Sequence, residues 1–237
     1  MTKPSFLSGI KKGVTLKHVD PPKEKELILS PTASGKSLMI YSVVRYFTEK
    51  GKNILLVVPT TSLVEQMYKD FEDYGWNSSE YCHKVYGGSD RFSEKQVTIS
   101  TWQSIYKLEK KFFDRFDVVI GDEAHQFKSK SLISIMSNLH NAKYRFGFTG
   151  TLDGSQTHKL VLEGLFGPTY KLIKTDELIK QGFLSKLKIK VLLLKHEPKK
   201  FNVYEEEVQY LIGNSKRNNF IKNLVLDLKG NTLVLFS

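Results

Sequence analysis

From Glu26 onward the chain repeats one pattern: a short continuous apolar run, a polar break, then apolar residues three and four apart. Leu27–Ser30 is the first such run, and the spacing after it predicts a helix over about Lys36–Lys50. Asn53–Pro59 (Asn-Ile-Leu-Leu-Val-Val-Pro) predicts a buried strand, followed by a helix over about Ser62–Tyr74. Further strands are predicted at His83–Tyr86, Val97–Ser100, Asp117–Gly121 and Arg145–Thr149. The runs are continuous, so both faces of each strand are to be covered. Strands alternating with helices predict an α/β domain with a mostly parallel sheet.

The regularity changes after about Thr169. Residues 171–200 hold nine lysines against three acids and include a strand-like run, Leu187–Leu194. Val203–Leu228 reads as helices, and Asn231–Ser237 as one more buried-type strand. A core strand needs a neighbour to pair with. The organisation expected is a mixed, basic segment over 1–25, an α/β domain over 26–185, and connecting strand and helices over 186–230. Residues 231–237 are then the first strand of a second, truncated domain.

Composition adds a partner class and removes others. The 237 residues carry a formal net charge of +11, which favours a polyanion, although solubility alone accounts for a basic surface as well. A single cysteine, Cys82, excludes an internal disulfide and a cysteine-based metal cluster, and is consistent with a reducing cytoplasm. No apolar run approaches the length of a membrane span, and no signal-peptide apolar region opens the chain.

Two motifs carry the chemistry. Ser30-Pro31-Thr32-Ala33-Ser34-Gly35-Lys36-Ser37 lies between a predicted strand and a predicted helix, as a phosphate-binding loop requires. Backbone N–H groups at the helix start cradle phosphates, Lys36 reaches the β- and γ-phosphates, and the Ser37 hydroxyl ligates Mg²⁺. The first position, usually glycine, is Ser30 here. The second motif is Val118-Val119-Ile120-Gly121-Asp122-Glu123-Ala124-His125, a buried strand running into two carboxylates and a histidine. In an open parallel sheet, ligand chemistry lies beyond the carboxyl ends of the strands. Asp122 is placed to hold Mg²⁺, and Glu123 to orient and deprotonate an attacking water.

Asp122-Glu123-Ala124-His125 resembles the signature tetrad of DEAH-type superfamily-2 helicases, and Pro31–Ser37 resembles their motif I. Val58–Gln66 is similar to motif Ia, Thr98–Ser104 to the motif Ib region, and Phe148-Thr149-Gly150-Thr151 stands where Ser-Ala-Thr motif III falls. Pro-Thr-Thr, Thr-Trp-Gln, Leu-Phe-Gly (165–167) and Ser-Lys-Arg-Asn (215–218) further resemble the UvsW helicases of T-even-like phages. The resemblance implies a RecA-like P-loop NTPase fold and an ATP- and Mg²⁺-dependent DNA helicase or translocase. It implies a role on branched DNA in recombination, replication-fork rescue and repair, in the host cytoplasm if phage-encoded.

It also implies that His125, Thr149 and Thr151 couple hydrolysis to movement. Thr60, Thr61, Gln66, Gly87, Gly88, Thr101 and Gln103 are the nucleic-acid candidates, holding phosphates without reading sequence. Helix capping is the alternative for the threonines, and core packing for Trp102. Residues 1–29 contain no glutamine, so no adenine-reading residue is assigned. The arginines of motifs V and VI belong to a second lobe, so this chain alone is expected to hydrolyse ATP poorly. A monomer is expected. The competing classes are an RNA helicase, a P-loop kinase or GTPase, and a nucleic-acid-binding module with a vestigial ATP site.

Overall fold

The computed structural model describes residues 23–31, 34–152, 156–172, 175–182, 185, 190–195 and 199–235. It divides into two compact units, 1–186 and 187–237.

The first unit is built on a seven-stranded sheet in the order β3-β4-β2-β5-β6-β1-β7, with every pair parallel. The strands are β1 (Lys25–Leu29), β2 (Ile54–Val58), β3 (Cys82–Val85), β4 (Val97–Thr101), β5 (Val118–Asp122), β6 (Tyr144–Thr149) and β7 (Thr169–Lys171). Among the described residues, the helices of this unit are α1 (Lys36–Glu49), α2 (Thr61–Asp73), α3 (Ser78–Tyr81), α4 (Trp102–Ile105), α5 (Lys110–Phe113), α6 (Lys130–Asn138), α7 (Gln156–Phe166) and α8 (Thr175–Lys180). All five residues of β2, β4 and β5 are buried. That is why their runs are continuous rather than alternating: each strand is covered on both sides.

One apolar layer joins Ile54, Leu56 and Val58 of β2 to Ile40, Val43 and Phe47 of α1 and to Val64, Met67 and Phe71 of α2. The other joins Leu55 and Val57 to Leu132 and Ile135 of α6 and to Leu162 and Phe166 of α7. The helical residues recur three and four apart, so one stripe of each helix meets the sheet. Phe166 explains the Leu-Phe-Gly sequence. A Cβ at Gly121 would lie 2.9 Å from the Phe166 ring, and one at Gly147 2.9 Å from it. The glycines of β5 and β6 therefore make room for that ring. Gly167 follows with φ +91°, and a Cβ there would meet the Lys25 carbonyl oxygen at 2.7 Å. Arg145, at the start of β6, donates to the carbonyls of Met136, Leu139 and Ala142, which closes the carboxyl end of α6.

β7 is an element the sequence pattern does not predict; it pairs with β1 through Leu27↔Thr169 to Leu29↔Lys171 and has too few residues to show a pattern of its own. In the second unit, helices α9 (Tyr204–Gly213) and α10 (Ser215–Asp227) occupy the predicted helical stretch. Two strand predictions fail there. Lys190–Lys195 and Asn231–Leu235 have no regular structure, and Val191, Leu193, Leu233 and Leu235 are exposed. Among the described residues neither segment has a strand beside it, and an apolar run cannot form a ladder alone. Lys186–Ile189, Phe236 and Ser237 lie outside the described residues. No helix of the described residues is long and apolar enough to cross a membrane.

Candidate nucleotide site and nucleic-acid edge

Because all strands run the same way, the loops that follow them gather at one edge of the sheet. β6 separates β1 from β5, so the loop after β1 and the acids after β5 face each other across a single strand. Ser30 is fully buried, and its N–H donates to the Thr149 carbonyl at 2.8 Å. The Ser34 hydroxyl donates to the Pro31 carbonyl and lies 2.5 Å from the Ser30 hydroxyl. The serine in place of the usual first glycine therefore braces the turn from within. Gly35 caps α1 with φ 81° and ψ 31°, a left-handed conformation that suits glycine. No side chain caps α1 and its first turn holds no acid, so the N–H groups there remain available to an anion. Thr32 and Ala33 lie outside the described residues.

Lys36 reaches across to both acids, 2.5 Å from Glu123 Oε1 and 3.4 Å from Asp122 Oδ1. Burial pushes the Asp122 carboxyl above the usual carboxylate range; the Lys36 charge and the N–H of Glu123 oppose that push. The Glu123 N–H donates to Asp122 Oδ1 at 2.9 Å. Glu123 has φ 48° and ψ 50°, the one non-glycine residue with positive φ among the described residues. Such backbone costs on the order of 1–3 kcal/mol and persists where the surroundings hold it. It turns the chain from β5 into a short 3₁₀ helix, Ala124–Lys128, and leaves the Glu123 carboxylate half-exposed at the mouth of the site.

The residues proposed for coupling also lie at this edge. His125 Nδ1 lies 3.0 Å from Thr149 Oγ1, and the Thr149 hydroxyl donates to the Thr151 carbonyl at 2.9 Å. Thr149 thus accepts from His125, which assigns the proton to Nδ1. Glu123 Oε2 is 3.3 Å from the same nitrogen. His158, not anticipated as part of this network, sets its Nε2 2.8 Å from the His125 carbonyl.

A cavity of about 340 Å³ opens between these elements, lined by Pro31, Gly35–Ser37, Asp122 and Glu123 and, from α2, by Leu63, Gln66, Met67 and Asp70. The α2 wall escaped the sequence reading. Its spacing of three and four residues is visible, but that spacing does not say which loop the helix faces. A larger, more open groove, about 860 Å³, lies within the second unit beside Arg217, Ile221 and Val225, and holds none of the predicted site residues.

The nucleic-acid candidates divide. β3, β4 and β2 are adjacent, so the turns after them share the other half of the same edge. Gly87 and Gly88 form an exposed turn with φ 54° and 87°. Thr60 caps α2 by accepting from the Leu63 N–H at 3.3 Å, and Thr61 is exposed beside it. Gln103 is exposed, its amide 3.4 Å from the Pro59 carbonyl. One candidate is corrected. Thr101 is buried, with its hydroxyl committed to Ser104 at 2.9 Å, so its side chain cannot meet a phosphate. Gln66 is exposed and also lines the cavity beside the phosphate loop, because five residues of helix after Thr61 turn its side chain away from the Thr61 face. Trp102 is half-buried against the second of the two apolar layers.

Comparison with known proteins places this geometry. The family described as type III restriction enzyme, res subunit, matches residues 10–154. The ATP-dependent DNA helicase uvsW of Enterobacteria phage T4 is 34% identical over 215 residues, covering 86% of this chain and 43% of that protein. The DNA 3'-5' translocase XPB2 of Sulfurisphaera tokodaii is 29% identical, covering 85% of this chain and 44% of that protein. The crystal structure of the UvsW helicase from bacteriophage T4 matches with a TM-score of 0.57 at 34% identity, over 62% of this chain and 54% of that one. The chain spans less than half the length of the two curated relatives.

Proposed function

This chain belongs to the family described as type III restriction enzyme, res subunit, and we propose that it is the ATP-binding motor lobe of a superfamily-2 DNA helicase or translocase. In this reading the substrate is branched DNA, held mainly through its backbone, in recombination, fork rescue and repair. The observation that carries the proposal is the ammonium of Lys36 lodged between Asp122 and Glu123 at the mouth of a cavity floored by the phosphate loop.

The donor set fits a magnesium-nucleotide. Mg²⁺ is usually held by one or two protein oxygens together with phosphates and water. Ser37 and Asp122 are such oxygens, and among the described residues no group of three His, Cys, Asp or Glu could form a closed metal cage. When bound, Mg²⁺ supplies positive charge to the β- and γ-phosphate oxygens. The phosphate-loop N–H groups orient the triphosphate. Lys36 exchanges its two carboxylates for phosphate oxygens, a swap of one anionic partner for another. Its departure frees Glu123 to accept a proton from the attacking water. Until then the Glu123 Oε1 atom is occupied by the Lys36 ammonium, 2.5 Å away. His125 and Thr149 then tie Glu123 to the loop after β6, which is the physical route for coupling hydrolysis to motion.

The test compares the full-length protein with its Glu123→Gln variant, in ATP binding and in turnover with and without DNA. Glutamine keeps the shape and loses the base, so binding should persist and hydrolysis should stop. Equal hydrolysis by the two proteins would sink the assignment. Stimulation by RNA in place of DNA would redirect it to an RNA substrate.

A further inference from the structure

We infer that Tyr74 is the positioning residue for Ser37, and that its hydroxyl sets the magnesium-dependent part of nucleotide affinity. The inference rests on the reading of the phosphate loop given above and concerns a residue outside every motif.

The Tyr74 hydroxyl lies 2.8 Å from the Ser37 hydroxyl, across 37 residues of sequence. Each neighbouring side chain of the loop has another partner: Lys36 holds the two acids and Ser34 holds Ser30 and Pro31. Among the described residues of the loop, Ser37 is the hydroxyl that lines the cavity with an aromatic hydroxyl beside it.

Tyr74 is itself firmly placed. It ends α2, its N–H donating to the Asp70 carbonyl at 2.9 Å, and Gly75 turns the chain away with φ 86°. Its ring packs on Tyr41 of α1 at a centroid distance of 5.1 Å. Tyr41 in turn meets Phe71 at 5.5 Å and accepts from Arg45 at 3.1 Å. The hydroxyl therefore sits on a rigid aromatic bracket that spans α1 and α2.

A serine hydroxyl has one proton and two lone pairs. When Ser37 donates its proton to the Tyr74 oxygen, both lone pairs stay free and one can be offered to a cation. Without that acceptor the Ser37 side chain is free to rotate among its three staggered positions. Outer partners of this kind orient metal ligands, and their loss typically costs about 10–100-fold in metal affinity.

The test measures ATP binding to the full chain by calorimetry, in magnesium and in EDTA, for the parent, Tyr74→Phe, Ser37→Ala and the double variant. Phenylalanine keeps the ring against Tyr41 and removes only the hydroxyl. Tyr74→Phe should bind ATP like the parent in EDTA and should lose about tenfold of the affinity gained on adding magnesium. Ser37→Ala should lose that gain, and Tyr74→Phe should then add nothing to it. A Tyr74→Phe variant with the parent's magnesium gain overturns the inference. So does a loss of equal size in both media, which would mark Tyr74 as packing alone, and so does additivity in the double variant. Lys36→Ala is the control for the underlying reading. If it binds ATP like the parent, the nucleotide site itself is misassigned, whatever Tyr74 does.

Discussion

Replacing Lys36 with methionine should destabilise the nucleotide-free chain in a way that depends on pH. Methionine keeps most of the stem and removes the charge. Lys36 Nζ is 3.4 Å from Asp122 Oδ1 and 2.5 Å from Glu123 Oε1, with side-chain exposures of 21%, 6% and 31%. Breaking a fully buried ion pair by deleting one partner costs roughly 3–5 kcal/mol, because the surviving charge is stranded. Lys36 and Glu123 are partly exposed and water screens them, which brings the expected loss to about 2 kcal/mol. For a unit of this size that corresponds to about 4–8 °C in Tm. Burial already raises the Asp122 carboxyl above its ordinary value. Between its unfolded and folded values the folded chain holds a proton that the unfolded chain has released, so stability falls as pH rises through that interval. Removing Lys36 takes away the attraction that opposes this shift, so the sensitive window extends further upward. The deficit of Lys36→Met should be full at about pH 8 and shrink toward about pH 5. Lys36→Met/Asp122→Asn should recover most of it at both. Thermal unfolding of the three proteins at the two pH values measures this. Equal midpoints at about pH 8, or a deficit unaffected by pH, would refute the picture of Lys36 as the counter-charge of the empty acid pair.

Gly147→Ala should destabilise the first unit by roughly 1–3 kcal/mol, the usual cost of overpacking. Its Cβ would lie 2.8 Å from Leu27 Cδ1 and 2.9 Å from the Phe166 ring. Denaturant titration reads the loss, and Phe166→Leu in the same chain should restore part of it; no loss would mean that the ring gives way freely. DNA binding should be nearly independent of sequence, with log affinity falling linearly against log salt as bound phosphates release counterions. A flat slope across unrelated sequences would show that contacts other than phosphates dominate at this basic surface.

The phosphate loop, the Asp-Glu-Ala-His tetrad and the core strands were legible because their signals are local. A loop that holds phosphate needs a glycine and a lysine at a helix start, whatever lies around it. A strand buried on both faces must be apolar throughout, as Ile54–Val58 and Val118–Ile120 are. The resemblance grouped His125 with Thr149 and Thr151 as coupling residues, but that His125 and Thr149 lie 3.0 Å apart across 24 residues is read only from the structure.

The chain's own order of residues thus determined the core strands and main helices of the first unit, the parallel sheet and the identity of the charged groups at its edge. Only the tertiary structure decided which of those groups meet. Hydrophobic pattern records that a surface will be covered and is silent on what covers it. Two apolar runs mark the limit: Val191–Leu194 and Leu233–Leu235 have the composition of core strands, yet no described neighbour completes a ladder with them. Thr169–Lys171 has little of that composition and becomes a strand because β1 offers a free edge. Gln66 lines the cavity beside Lys36 and Ser37 because helix rotation, not motif membership, aims a side chain. Ser37 meets Tyr74, and Phe166 fills the space over Gly121 and Gly147, through contacts that exist only once helices have packed on the sheet. Contact between distant residues is set by the packing of whole elements at close to crystal density, and no stretch of sequence short enough to read as a motif contains that information.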